Sequence, residues 1–381
     1  MDQARVKGGV LLGALVSGAL SAGTLSAAPA ANASCFSAFG IGNGNGCTSN
    51  LTTFAIGIGN GATASAGGLL NGAIAIGDGA SATTVLSAFT WAAALGDSAS
   101  AGAITSFFST ALQLGAGTAS NWGALNLVIS QNTGNGNAEA GAIGVLNFAY
   151  QLGHGTSSTL GFLNYAAGVN PLGSGGQTTG AAGLLNFSLQ LGPGTTSTVG
   201  GLNIAIGFLP NNNGQQTTAA GGIGSAAINI SGDTGNNYVS SAGILTSAVN
   251  LNGNDNTVRA GGGTPDSLLV SAVNAQGNGN TVTAGPGAAA LAGSVGQNGA
   301  TVAAGGPGFN INGFAVGRPS AANGANDTTP ATSAAAASTS ADAPAAKGPK
   351  HAAKTSGGTA RQAKASDSSS GSTGGGGRHR K

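Results

Sequence analysis

Two stretches of this 381-residue chain decide its fold. The first is Gln151-Leu152-Gly153-His154-Gly155-Thr156-Ser157-Ser158-Thr159. The second, Gln190-Leu191-Gly192-Pro193-Gly194-Thr195-Thr196-Ser197-Thr198, follows 39 residues later. Leu146-Asn147-Phe148 and Leu185-Asn186-Phe187 keep that offset, as do Leu163-Asn164 and Leu202-Asn203. A match of this length marks an internal repeat, and 39 residues hold two shorter periods. Glycine turns at Gly59-Asn60-Gly61, Gly77-Asp78-Gly79, Gly96-Asp97-Ser98, Gly115-Ala116-Gly117, Gly134-Asn135-Gly136 and Gly153-His154-Gly155 stand 18 or 19 residues apart. Later turns at Gly192-Pro193-Gly194, Gly232-Asp233, Gly253-Asn254 and Gly277-Asn278-Gly279 continue at somewhat longer steps.

Between the turns lie short pieces such as Phe54-Ala55-Ile56-Gly57-Ile58 and Ala73-Ile74-Ala75-Ile76. Gly, Asn and Asp tolerate positive φ and so punctuate strands. Helix is disfavoured, because an interior Gly costs about 1 kcal/mol relative to Ala. A strand of four or five residues cannot bury a face alone, but coils stacked on one another can. The period therefore predicts an all-β parallel β-solenoid with coils of about 19–22 residues over 34–318. Its small interior is expected to take Ala, Ile, Leu and Val.

Composition agrees and excludes alternatives. Gly accounts for 72 residues, nearly three times the usual share of about 7%. Collagen is excluded because Gly does not recur at every third position and Pro numbers only 11. Charged residues make up 6%, against about 25% in ordinary soluble domains. Few ionisable groups are thus present from which to build a catalytic site.

The ends differ from the body. Arg5 and Lys7 precede the uncharged stretch 8–28, and Ala31-Asn32-Ala33 then offers small residues to a signal peptidase. Residues 1–33 read as a signal peptide with Ser34 as the first mature residue, and the product is expected to be secreted. The alternative, a membrane anchor, is weakened by the Gly and Ser content. Asn32 also stands where a lipobox wants Leu, which argues against lipidation at Cys35. No later apolar run approaches the roughly 20 residues of a span, so an integral membrane protein is not expected.

Residues 319–381 form an Ala-, Ser- and Gly-rich segment without aromatics, expected to be a disordered basic tail. Lys347, Lys350, Lys354, Arg361, Lys364, Arg378, Arg380 and Lys381 face three acids there. Between Ser34 and Gly317 the balance reverses, with six acids against Arg259 alone. The tail reads either as a solubility device or as a cationic arm for an anionic cell-wall polymer or host surface.

Several residues carry specific expectations. Cys35 and Cys47 are predicted to form a disulfide, since export permits oxidation and no metal ligand lies near. Asn126, Asn147, Asn164, Asn186 and Asn203 each follow Leu, at spacings of 21, 17, 22 and 17. They read equally as a hydrogen-bonded ladder along the solenoid axis or as ordinary turn residues. Ser225, Ser247 and Ser271 are assigned to the same slot further on. Segment 85–114 carries Phe89, Trp91, Phe107 and Phe108; local thickening of the core is favoured over an exposed patch. The Cys35–Cys47 turn and the basic tail are expected to cap the two ends.

Two local resemblances follow. Residues 54–64 and 73–82 resemble the A-I-G-x-x-A-x-A repeat of trimeric autotransporter adhesin heads, which implies a left-handed parallel β-roll that binds host surfaces. The unit is longer here, and that family's C-terminal membrane anchor is absent. Val249-Asn250-Leu251-Asn252-Gly253-Asn254-Asp255-Asn256-Thr257-Val258 and Val273-Asn274-Ala275-Gln276-Gly277-Asn278-Gly279-Asn280-Thr281-Val282 resemble curlin repeats, which stack into extracellular amyloid. The whole is similar in composition and export signal to glycine/alanine-rich secreted proteins of actinobacteria.

Chemistry is sparse. His154 and Glu139 are the one His and the one Glu of the body, and His154 occupies a turn slot that is Ala116 or Pro193 in sibling repeats. The glycine turns lack the following helix that a dinucleotide fingerprint requires. No catalytic residue, cofactor or metal site is assigned, and nucleic-acid binding is not expected. The expectation is a non-enzymatic structural or adhesive solenoid at the cell surface. Self-assembly into a curlin-like fibre is the alternative, and a Thr/Ser/Asn face for carbohydrate or ice is a minor option because Thr is not evidently periodic.

Overall fold

The computed structural model describes residues 34–134, 136–170, 176–209, 215–231, 236–261 and 267–317. Residues 1–33, read above as a signal peptide, and the segment with the eight basic residues, Lys347 to Lys381, lie outside the described residues. The described residues form strands and turns without helix, so no helix among them is long and apolar enough to cross a membrane.

Each coil contributes one strand to each of two sheets. Sheet I runs in parallel steps from Phe54–Ile58 to Gly308–Ile311, and sheet II from Cys47–Ser49 to Thr301–Ala304. Among the described residues each sheet makes thirteen parallel steps. The chain is a parallel β-solenoid. Registers pair like with like: Ala55 stands against Ala73, and Ala73 against Ala92.

Alternation sends every second side chain inward. Ala and Val lie inside as expected, whereas the placement of Ile and Leu in the interior is corrected. Ile and Leu of sheet I point outward; Ala fills much of the inside, with Val239, Val258, Val282 and Val302 near the C-terminal end. The largest fully buried side chains include Gln113, Gln151, Gln177, Gln190 and Gln216. Gln151 Nε2 donates to Gln177 Oε1 at 3.2 Å and Gln190 Nε2 to Gln216 Oε1 at 2.9 Å. One inward column of sheet I reads Gln151, Gly168, Gln190, Gly207 in consecutive coils. A Cβ at Gly168 would collide with Gln151 Oε1, and one at Gly207 with Gln190 Oε1. Each glycine thus makes room for the amide in the coil before it.

Antiparallel strands close sheet I at both ends. Ser34–Ala38 pairs antiparallel with Phe54–Ile58 and with Ile41–Gly42. The Cys35–Cys47 disulfide ties this strand to the first strand of sheet II, with Cα atoms 5.3 Å apart. Gly57 opposes Cys35, and a Cβ there would lie 2.5 Å from Cys35 Sγ. At the other end Phe314–Gly317 folds back antiparallel on Gly308–Ile311. The cap assigned to the tail is therefore corrected: this hairpin closes sheet I before residue 318. Its sequence, Phe314-Ala315-Val316-Gly317, belongs to no repeat.

Candidate functional site

Three features could carry function: a buried amide spine and two outer faces. The spine lies at the corner leading into sheet I. Asn126, Asn147, Asn164, Asn186 and Asn203 are each at most 2% exposed. The backbone N–H of Asn147 donates to Asn126 Oδ1 at 2.9 Å, and that of Asn186 to Asn164 Oδ1 at 3.1 Å. Each Nδ2 reaches the carbonyl four residues earlier and a glycine carbonyl of the next coil, as Asn164 does with Leu160 at 2.8 Å and Gly183 at 2.9 Å. Burying an amide is tolerable only when its donors and acceptors are paired. The turn and ladder readings are thus one arrangement.

The slot continues differently from the sequence assignment. Ser225 N–H donates to Asn203 Oδ1 at 2.9 Å, and its hydroxyl meets Thr246 Oγ1 at 2.9 Å. The next occupant is Val270, whose carbonyl accepts from Ser247 N–H. Ser247 and Ser271 are the outward first residues of their strands, one position later. The polar spine then reappears at the opposite corner, where Asn256 N–H donates to Asn237 Oδ1 and Asn280 N–H to Asn256 Oδ1, both at 2.9 Å. Sequence reading missed this second spine. Its signal is Asn256-Thr257-Val258 against Asn280-Thr281-Val282. Upstream, Asn71 plays the same part, accepting Thr90 N–H at 2.9 Å.

The residue before each Asn of the first spine adopts positive φ, and it is Leu rather than Gly. Leu125, Leu146, Leu163, Leu185 and Leu202 have φ between 54° and 60°. The left-handed region costs an L-residue about 1–2 kcal/mol. These side chains project outward and stay substantially exposed.

They border the outer face of sheet I, which is largely apolar, with Thr110, Gln131, Ser247 and Ser271 among its outward residues. Its strands FAIGI, GAIAI, WAAAL, TALQL, FSLQL and IAIGF turn Phe, Ile, Trp and Leu to the outside. Phe148, Tyr165 and Phe187 stack across three coils, with centroids 5.0 and 4.9 Å apart. Burial raises the Tyr165 phenol above its ordinary pKa, and neighbouring Tyr150 adds to the shift. The aromatic cluster of 85–114 also lies outside. Phe89, Trp91, Phe107 and Phe108 are 38–50% exposed, so the core-thickening expectation is corrected. The two-sheet interior leaves no space for such rings, and they pack on each other instead, Phe89 on Phe108 at 4.7 Å.

The outer face of sheet II carries a hydroxyl column beside an apolar margin that includes Leu160, Phe162 and Leu184. Thr156, Thr178, Thr195 and Thr217 occupy the column in consecutive coils, Tyr238 interrupts it, and Thr257, Thr281 and Thr301 continue it. Thr is therefore periodic once coils of unequal length are brought into register. Glu139 interrupts the column beside Thr156, and His154 lines the same open depression. Arg259 lies over the Tyr238 ring at 5.4 Å. Asp78 and Asp97 stack at a turn, each accepting a backbone N–H from the preceding coil, at 2.8 and 2.9 Å. Among the described residues no three His, Cys, Asp or Glu side chains gather where they could hold a metal ion.

No protein-family model, curated protein or solved structure matches the chain.

Proposed function

We propose that this chain is an exported, non-enzymatic structural or adhesive solenoid acting at the cell surface or in the cell wall. The observation that carries the reading is the Thr column of sheet II, which repeats a hydroxyl over four consecutive coils and, past Tyr238, over three more, at the roughly 4.8 Å spacing of paired strands. Such a surface offers many weak, identical hydrogen-bonding positions, which suits a repetitive polymer better than a small molecule. The basic segment would add long-range attraction to an anionic wall polymer through Lys347, Lys350, Lys354, Arg361, Lys364, Arg378, Arg380 and Lys381. Fractionation of cells making the full chain, or a chain ending at Pro319, tests this. The full chain should appear in the wall fraction and the shortened one in the medium. Retention of both in the cytosol would overturn the reading.

A second reading, the curlin-like fibre subunit, is favoured by one observation. The stretch that resembles curlin repeats carries an internal amide ladder. Asn250 Nδ2 donates to Asn229 Oδ1 at 2.9 Å, and Asn274 Nδ2 to Asn250 Oδ1 at 2.8 Å. End-to-end growth of sheet I would have to displace the antiparallel strands at its ends. Filaments with a cross-β diffraction pattern would establish this reading over the first.

A further inference from the structure

We propose that the outer face of sheet I is the interface of a homodimer, with two copies packed face to face. This goes beyond the cell-surface reading and does not depend on it.

The strands themselves supply the first argument. A parallel strand covered on one side alternates apolar with polar residues, whereas one covered on both sides reads as a nearly continuous apolar run. Sheet I has only its inner side covered, and its alternation is reversed: Phe187–Leu191 puts Ser188 and Gln190 on the covered side and Phe187, Leu189 and Leu191 on the open one. Its outward residues are larger and more apolar than its inward ones: Leu189 and Ile206 point out, while Ser188 and Ala205 point in. The chain places its best hydrophobic material on the side that this copy leaves open.

The Leu row supplies the second. Leu163, Leu185 and Leu202 hold positive φ at the rim of this face. Glycine would adopt that conformation without strain. Leu there costs energy and leaves 39–57% of its surface open within one copy, so part of its return is left to a contact from outside. Strain of this kind points to function.

Size selects the partner. Thirteen steps of roughly 4.8 Å and strands of five residues at roughly 3.3 Å each give a patch on the order of 1,000 Å². A stable interface needs about 800 Å² from each partner. The sheet I strands contain no charged residue, so two copies can meet without stripping water from an ion. Two flat twisted sheets pack at an interlayer distance of about 10 Å. A lipid surface fits less well, because Arg259, the one basic residue among the described residues, sits on sheet II.

Sedimentation of the full chain over a wide concentration range tests the proposal. The expected result is twice the monomer mass, reduced to the monomer mass in the Leu189→Lys/Ile206→Lys double variant with its β-type circular dichroism retained. Thr195→Lys, on sheet II, should stay dimeric. Should the double variant fail to fold, Trp122→Phe leaves Trp91 as the single tryptophan, on the sheet I face; its emission should move to longer wavelength on dilution. A wild-type monomer at every concentration, a mass above the dimer, association that survives the two lysines, or an unshifted Trp91 emission would each overturn the proposal. So would a monomer that binds neutral phosphatidylcholine vesicles through Trp91.

Discussion

The backbone N–H of Asn164 donates to Oδ1 of Asn147, one coil away, at 3.0 Å. Asn164 in turn accepts from Asn186 and donates to the Leu160 and Gly183 carbonyls. Replacing Asn164 by Ala keeps its backbone N–H bond to Asn147 but removes the side-chain bonds to Asn186 N–H and to the Leu160 and Gly183 carbonyls, which leaves buried backbone groups unpaired. With about 1–3 kcal/mol for each unsatisfied group, the expected loss is roughly 3 kcal/mol or more, read by chemical denaturation. A loss within error would show that the spine is incidental.

The alternation of Gln151 with Gly168 predicts a coupled pair. Gly168→Ala should destabilise by about 1–3 kcal/mol, the usual cost of overpacking, because its Cβ would meet Gln151 Oε1 and also Gln177 Oε1. In a Gln151→Ala background the same substitution should cost clearly less. Equal costs in both backgrounds would separate the two positions.

The corner leucines predict an unusual tolerance. Leu→Ala in a core typically costs 2–5 kcal/mol. Leu163→Gly should cost the monomer little, or stabilise it by up to about 1 kcal/mol, because glycine relieves the positive φ. Thermal unfolding of the isolated variant reads the sign directly.

Cys35 and Cys47 stand 12 residues apart in sequence. Chain-entropy models assign a loop of this size about 3 kcal/mol. Cys35→Ser/Cys47→Ser should lower the unfolding free energy by up to that amount and speed hydrogen exchange first in Ser34–Ala38. Uniform exchange changes along the whole solenoid would contradict a local role.

Tyr165 predicts an alkaline dependence. Its folded pKa is raised, by burial first and Tyr150 second, so the neutral phenol is favoured in the native state. Its contribution is fully present below the ordinary tyrosine value of about 10 and is lost as pH rises through the folded value. Stability of the wild type should fall in that window, and Tyr165→Phe should flatten the fall. Identical profiles would remove Tyr165 from the account.

The coil period was legible because Gly, Asn and Asp turns recur at nearly constant spacing, and strand placement followed from them. The Cys pair was legible too, since two cysteines 12 residues apart in a chain with no third have few other uses. The faces were harder to read. Ile56 and Ala55 are both apolar, so composition alone could not say which of them faced a narrow interior. Spacing also failed where coils differ in length. The slot shared by Ser225, Thr246 and Val270 is chemically varied, and the serines of similar spacing, Ser247 and Ser271, fall one residue outside it. Thr periodicity was hidden for the same reason, because 22 residues separate Thr156 from Thr178 but 17 separate Thr178 from Thr195. Leu at positive φ gives no turn signal at all.

The Gln–Gly alternation has one more consequence, for how such a chain can change length. Loss of the coil that carries Gly168 would bring Gln151 directly against Gln190, two amides with no hollow between them. Loss of a whole Gln–Gly pair would leave the sequence of large and small intact. Between Gln151 and Gly207 the unit of insertion or deletion that keeps large and small in step is therefore two coils, and 39 residues is the distance over which this part of the chain repeats itself nearly letter for letter. Within these coils a variant shortened by 39 residues should be more stable than one shortened by the coil of Gly168 alone.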